Sequence, residues 1–236
     1  MLLYIIRHGD PDYEHDCLTE TGKRQAEALS HRLAVHGLDR IFCSPLGRAR
    51  QTAAPTAEKL GLPVTIEDWL SENDAGSHFW VHFNEKDEGW IYQQNGAGLR
   101  GFANEGQYAD WRKNDRLFDM DAAHCYDSVS KASDDFMERL GYKRENSVYK
   151  ILTPNTERIA VFCHEGRTMT WVPHLLQIPP HLWWAHFAFS HTGVTVLEWS
   201  NDASGYTVPR ILTWSDLSHI YADDELPLKY NGGIPL

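Results

Sequence analysis

Residues 2–9, Leu-Leu-Tyr-Ile-Ile-Arg-His-Gly, constrain this chain more than any other stretch. The apolar run from Leu2 to Ile6 is too short for a core helix and rich in β-formers, so it reads as a strand buried on both faces. Arg7, His8 and Gly9 then fall where the strand runs out into a loop, the crevice at which open α/β sheets bind ligands. Arginine offers a planar fork to phosphate or carboxylate oxygens, histidine a nucleophile or base at neutral pH, and glycine a close approach of backbone to ligand. The plainer alternative for three such residues is a surface loop with a satisfied histidine.

The chain after this strand punctuates clearly. Thr19 is a candidate N-cap for a helix with Ala26, Leu29 and Leu33 on one face, ending before Gly37. A strand follows at Arg40 to Cys43, then a second helix from about Leu46, with Pro55 expected to kink or divide it. Arg48 falls in the first turn of that helix, where free N–H groups and the helix dipole favour an anion, and where it can face the same phosphate as Arg7. Val64 to Ile66 make a third strand. Residues 73 to about 126 then lose regular periodicity among many glycines and aromatics, the pattern of a functional insertion or lid. Its Trp80, His82, Trp90, Tyr92, Arg100, Trp111, Arg112, Lys113 and Arg116 wall a substrate pocket or form a small aromatic core.

Periodicity returns at Val129, Ala132, Phe136 and Leu140. Val148 to Leu152 and Ile159 to Cys163 read as strands about a Pro154-Asn155 turn, and the second delivers His164 as the first delivered His8. A helix over Gly166 to Gln177 is expected to be interrupted near Pro173. Val194 to Trp199 and Tyr206 to Leu212 read as a closing pair of strands, and the tail beyond Ala222 as coil.

Six blocks in order, RHG at 7–9, LTETGKRQA at 18–26, SPLGRARQTA at 44–53, LSENDAG at 70–76, VFCHEGR at 161–167 and DLSHI at 216–220, resemble the histidine phosphatase superfamily, also called the phosphoglycerate mutase-like family. The resemblance covers most of the chain. It implies a single domain over 1–236, a three-layer α/β/α sandwich on a mostly parallel sheet, with a loop-rich insertion at about 73–128 capping the site. It also implies a cofactor-independent phosphatase, with His8 as nucleophile and Arg7, Arg48 and His164 around the phosphate. Glu72 of the L-x-E-x-x-x-G pattern is then the proton donor. Glu165 is the alternative, because the phytase-like branch carries an acid directly after its second histidine. Against Glu165, the R-H-G-x-R-x-P signature of that branch is missing, since Asp10, Pro11 and Asp12 follow Gly9. The first loop, GDPDYEHDCLTE, is shorter and more acidic than that of true phosphoglycerate mutases and favours hydrolysis over transfer. A phosphomutase and a catalytically silent phospho-ligand binding module are the rival functions.

Composition narrows the partners. With 236 residues and 42% hydrophobic content the chain can bury one substantial core. A net charge of -11 and a pI near 5.6 argue against a general nucleic-acid or anionic-membrane surface, so any phosphate site is local and the expected partner is a small phosphorylated substrate. No stretch reads as an export signal or membrane span, and the four cysteines lack C-x-x-C spacing, which together point to a reduced cytoplasmic protein. The 13 histidines include no H-E-x-x-H and no compact run with carboxylates, so no metal is expected.

Overall fold

A computed structural model of the chain describes residues 1–73, 79–84, 87–93, 111, 120–222 and 226. A six-stranded sheet carries the site, built from β1 (Leu2–Arg7), β4 (Arg40–Cys43), β5 (Val64–Ile66), β10 (Arg158–Cys163), β11 (Val194–Glu198) and β13 (Arg210–Asp216) in the order β13-β11-β1-β10-β4-β5. The pairs β1–β10, β10–β4 and β4–β5 are parallel, while β11 joins β1 and β13 antiparallel. Two residues each make the small ribbon of β2 (Pro11–Asp12) and β3 (Cys17–Leu18) in the first loop.

The side-chain period of two sorts the central strands between two cores. Leu3, Ile5, Ile159, Val161 and Cys163 face one, with α3 (Met120–Arg139), α4 (Glu165–Leu176) and α5 (Pro180–Trp184) supplying Phe136, Met169, Trp171 and Trp183. Ile6, Ala160 and Phe162 face the other, against Leu29 and Leu33 of α1 (Glu20–His36) and Ala49 and Ala53 of α2 (Gly47–Leu60). Burial on both faces at roughly 1.5–3 kcal/mol per large aliphatic side chain makes β1 and β10 the backbone of both layers. The result is the expected three-layer α/β/α arrangement on a mostly parallel sheet.

Local signals place several elements to the residue. Thr19 caps α1, its side chain accepting the Gly22 N–H at 3.1 Å. Gly37 and Gly61 end α1 and α2 with positive φ, 70° and 65°.

Other expectations change. Pro55 does not divide α2, and Pro173 does not interrupt α4. In α2 the buried stripe of Ala49, Thr52, Ala53, Thr56 and Ala57 runs past the proline, so tertiary packing outweighs the one lost backbone bond. The span from 73 is not irregular throughout. It holds a hairpin of β6 (Trp80–Asn84) and β7 (Asp87–Trp90) and a 3-10 turn at Ile91–Gln93, and α3 begins at Met120. Buried Cys125 and Tyr126 continue the inner stripe of Val129, Ser133 and Phe136 one turn toward the N-terminus, which counting aliphatic residues alone overlooks.

A strand missed in the sequence, β8 (Tyr142–Glu145), pairs with β9 (Val148–Ile151). Hence β9 does not lie beside β10; it belongs to a separate sheet ordered β12-β9-β8, where β12 is Tyr206–Thr207. The strand that closes the main sheet on β11 is therefore β13 at 210–216, with the pair at 206–207 diverted to β9. The expected coil beyond Ala222 lies, except for Leu226, outside the described residues, as do Gly76, Arg100, Arg112, Lys113, Arg116 and the side chain of His82. Among the described residues no helix is long and apolar enough to cross a membrane.

Candidate active site

The site forms where β1 and β10 end side by side. Arg7 pairs in register with Cys163, and the His8 N–H continues the ladder to the Cys163 carbonyl at 3.0 Å, so His8 and His164 leave the sheet at the same level. Their ring centroids are 5.2 Å apart. Close backbone contact explains two glycines: a Cβ on Gly9 would lie 2.8 Å from the Gly22 carbonyl oxygen, and one on Gly22 would lie 2.2 Å from the Asp10 carbonyl oxygen. The strand end thus sits directly on the first turn of α1. The Gly9 N–H also donates to Thr52 Oγ1 of α2 at 2.9 Å.

The tautomer of His8 follows from its partner. Nδ1 lies 2.7 Å from the Gly9 carbonyl oxygen, which can only accept, so Nδ1 carries the proton and Nε2 keeps its lone pair. Burial, then the Arg7 guanidinium and the His164 ring, hold the His8 pKa well below the ordinary imidazole value, so the ring is neutral at pH 7. His164 is likewise held well below that value by burial and by Arg48, Arg167 and Arg7. Its Nε2 shares a 2.7 Å hydrogen bond with Ser44 Oγ.

Arg7 and Arg48 line one pocket. Arg7 Nη1 donates to the Phe189 carbonyl and lies 3.1 Å from Glu165 Oε2. Arg48 Nη1 donates to Asp16 Oδ1 at 2.6 Å, and its Nη2 is 3.6 Å from Glu72 Oε2. The anion at the N-terminus of α2 is therefore supplied by the protein: Asp16 Oδ2 accepts the Gly47 N–H at 2.6 Å. Asp16 was not singled out in the sequence. Its signal was only a share in an acidic loop, indistinguishable there from a solvated charge.

Both candidate acids are present. Glu72 Oε1 accepts the Gly166 N–H at 2.6 Å, and Oε2 lies 3.8 Å from His164 Nδ1. Burial raises the Glu72 carboxyl above the usual carboxylate value, against Arg7, Arg48 and the Gly166 N–H, which lower it. Glu165, at the first position of α4, has Oε2 engaged by Arg7 and by Gln93 Nε2 at 2.9 Å. Gln93 too escaped the sequence reading, since nothing local marks it.

A cavity of about 450 Å³ opens over these groups, lined by Arg7, Arg48, Glu72 and Glu165 and walled by Tyr13, Trp90 and Tyr92. Trp90 and Tyr92, whose rings stack at 5.7 Å, thus wall the pocket, whereas Trp111 is buried and packs on Tyr126 and Trp184. The Arg48 guanidinium lies 5.3 Å from the Tyr13 ring centre.

His8, Glu72 and His164, far apart in sequence, bring ligand atoms within 4.8 Å of one another, a grouping able to hold a cation that no sequence run discloses. Arg48 within 3.6 Å of the same Glu72 oxygen and Arg7 adjoining His8 oppose a cation there and favour an anion. Three buried side-chain nitrogens, Arg7 Nε, Arg48 Nε and His164 Nδ1, have no hydrogen-bond partner among the described residues.

Residues 3–96 match the sequence model of the histidine phosphatase superfamily (branch 1). A probable phosphatase of Schizosaccharomyces pombe is 36% identical over 86 residues, 32% of this chain and 41% of that protein. The probable phosphoglycerate mutase GpmB of Klebsiella pneumoniae is 33% identical over 103 residues, 39% of this chain and 48% of that one. The matched segments thus span less than half of these relatives. Among solved structures, phosphoserine phosphatase of Entamoeba histolytica, crystallised with phosphoserine, superposes with a TM-score of 0.59 at 20% identity over 93% of this chain and 98% of that one. A mycobacterial glucosyl-3-phosphoglycerate phosphatase with inorganic phosphate gives 0.60 at 20% identity over 93% and 99%. The shared fold is phosphoglycerate mutase-like.

Proposed function

We propose that the chain, whose residues 3–96 match the histidine phosphatase superfamily model and whose fold is phosphoglycerate mutase-like, is a metal-independent phosphomonoester hydrolase working through a phosphohistidine on His8. Its substrate is a small phosphorylated metabolite, and its site of action is the cytoplasm. The observation that carries the reading is the His8 Nδ1 bond to the Gly9 carbonyl, which leaves an unprotonated Nε2 on a neutral ring beside the Arg7 guanidinium.

In the first step the Nε2 lone pair of His8 forms a bond to phosphorus as the ester P–O bond breaks. Arg7, Arg48 and His164 hold the non-bridging oxygens. Glu72 gives its proton to the departing alkoxide. In the second step water attacks phosphorus, Glu72 takes up its proton, and the P–N bond breaks to return His8 and release phosphate. Glu72 is supported over Glu165 because burial raises it toward the protonated form, whereas the Glu165 carboxylate is already held by Arg7 and Gln93. Of the insertion proposed over about 73–128, Asn73, Trp90, Tyr92 and Gln93 line this pocket.

The test is release of inorganic phosphate from an aryl phosphate and from a panel of metabolite monophosphates, with chelator present. Release that survives chelation supports the proposal. Loss of activity with chelator points to metal-assisted hydrolysis at the His8, Glu72 and His164 grouping. Exchange of phosphate between positions with little release points to a mutase, and phosphate binding without turnover to a silent binding module.

A further inference from the structure

The Asp216-Leu217-Ser218-His219-Ile220 block plays no part in the chemistry above, yet its histidine is buried and tied to the loop behind the proposed nucleophile. His219 lies in a 3-10 turn, Ser218–Ala222, with Nε2 3.0 Å from Thr192 Oγ1. The Thr192 hydroxyl donates to the His191 carbonyl at 2.7 Å, so its oxygen accepts from His219, and the proton of that ring sits on Nε2. Nδ1 is then an acceptor, and it faces Arg32 Nη1 at 3.4 Å. Arg32 is fixed in turn by Asp216, through Oδ2 at 2.9 Å and the carbonyl at 3.1 Å.

At its other end the chain of bonds reaches the strand that delivers the site. Thr192 donates its N–H to the His8 carbonyl at 3.2 Å, and the Gly193 carbonyl accepts the Arg7 N–H at 3.4 Å. The His191 ring lies 5.5 Å from the His8 ring. Thr192 holds φ at 54°, a left-handed conformation that a β-branched residue adopts only where its surroundings impose it. The side-chain bond from His219 holds it there together with the Thr192 N–H bond to the His8 carbonyl and the Gly193 N–H bond to the Ser190 carbonyl at 2.9 Å.

We propose that His219 is a positioning residue for His8, acting through Thr192: it holds the 191–193 turn in the conformation that fixes the His8 main chain and the ring beside it. The proposal rests on the reading of His8 as nucleophile, and a misplacement near 1 Å at such an atom costs roughly 10²-fold in rate.

The experiment compares His219→Leu, which removes the donor, with His219→Gln, whose amide N–H can take the place of Nε2–H. Single-turnover phosphorylation of the enzyme, the inhibition constant of inorganic phosphate, and the rate at which diethyl pyrocarbonate modifies His8 in the free protein are measured on each. The expected result is phosphorylation slowed roughly tenfold or more in His219→Leu, an inhibition constant within about twofold of the parent, and recovery of most of the rate in His219→Gln. A folded His219→Leu variant with the parent rate, or equal losses in both variants, overturns the proposal. If His219→Leu does not fold, Thr192→Val against Thr192→Ser makes the same comparison, with only the valine variant slowed; equal rates overturn it. If the parent shows no turnover, the nucleophile reading has failed separately. The modification rate at His8 then decides, since a change in His219→Leu reversed in His219→Gln supports positioning and an unchanged rate contradicts it.

Discussion

Glu72 is held by Gly166: its Oε1 accepts the Gly166 backbone N–H at 2.6 Å, so the candidate acid of one loop is oriented by the first turn of the helix that follows the second histidine. The geometry also leaves Gly166 no room for a side chain. A Cβ there would lie 2.6 Å from both Glu72 Oε1 and the Tyr92 hydroxyl.

Gly166→Ala is therefore expected to push aside two side-chain ends rather than backbone, and so to damage catalysis more than folding. The expected outcome is a fall in kcat/KM of roughly 10-fold or more, as for loss of a correctly placed general acid, with the melting temperature little changed. Unchanged kinetics in this variant would show that Glu72 does not need its present position.

Glu72→Gln keeps size and removes the titratable proton. Hydrolysis of alkyl phosphates, whose leaving group needs that proton, should fall by roughly 10²-fold or more, and hydrolysis of activated aryl phosphates much less. Glu165→Gln should leave that ratio nearly unchanged. In the pH profile of kcat/KM, corrected for the second ionisation of the substrate, the acid limb belongs below about 6.5, because His8 and His164 are both lowered. The alkaline limb belongs to Glu72, raised by burial, and should vanish in Glu72→Gln. Selectivity appearing in the Glu165 variant instead would move the acid role there.

Much of this was legible along the chain, and the reason is local. Strands β1, β4 and β5 are apolar runs bounded by turn residues, and α1 carries its own cap and stop at Thr19 and Gly37. His8 and His164 were legible for the same reason, each directly following such a strand. What stayed hidden depends on partners distant in sequence. Asp16 is acidic like its neighbours and becomes distinctive only when α2 brings Gly47 and Arg48 to it. The strand β8 reads Tyr-Lys-Arg-Glu, with one buried residue, Tyr142, and no alternation to betray it. Pro55 obeyed the packing of the helix around it rather than its own preference.

Ser44→Ala tests the partner of His164. Both side chains are fully buried, and removal of the hydroxyl leaves Nε2 of His164 unpaired and its tautomer unfixed. A net loss of about 1 kcal/mol, the usual worth of such a bond, corresponds to a fall of about fivefold in kcat/KM, and Ser44→Thr should recover part of it. Equal activity in parent and alanine variant would mean that His164 is oriented by other contacts.

Acid should destabilise the fold through its buried histidines. His219 is pushed down to about 4 by burial and by Arg32, so below about 6.5 the unfolded chain binds a proton that the folded chain refuses. That contribution is full above about 6.5 and is lost as pH falls toward the folded pKa. His8 and His164 act in the same direction, while Glu72, with its raised pKa, acts in the opposite one. His219→Gln removes one of the three histidines, so its melting temperature should decline less than that of the parent between pH 6.5 and 4. An equal or steeper decline would contradict this assignment.

The central claim is a covalent phosphate on His8. The parent enzyme is mixed with a radiolabelled phosphomonoester in chelator, quenched in alkali within milliseconds to preserve phosphohistidine, and its labelled peptide is sequenced by mass spectrometry. The account predicts label on His8, formed and lost at rates that sustain turnover, and none in His8→Ala. Full turnover with no label on His8, or label carried by another residue, would contradict it.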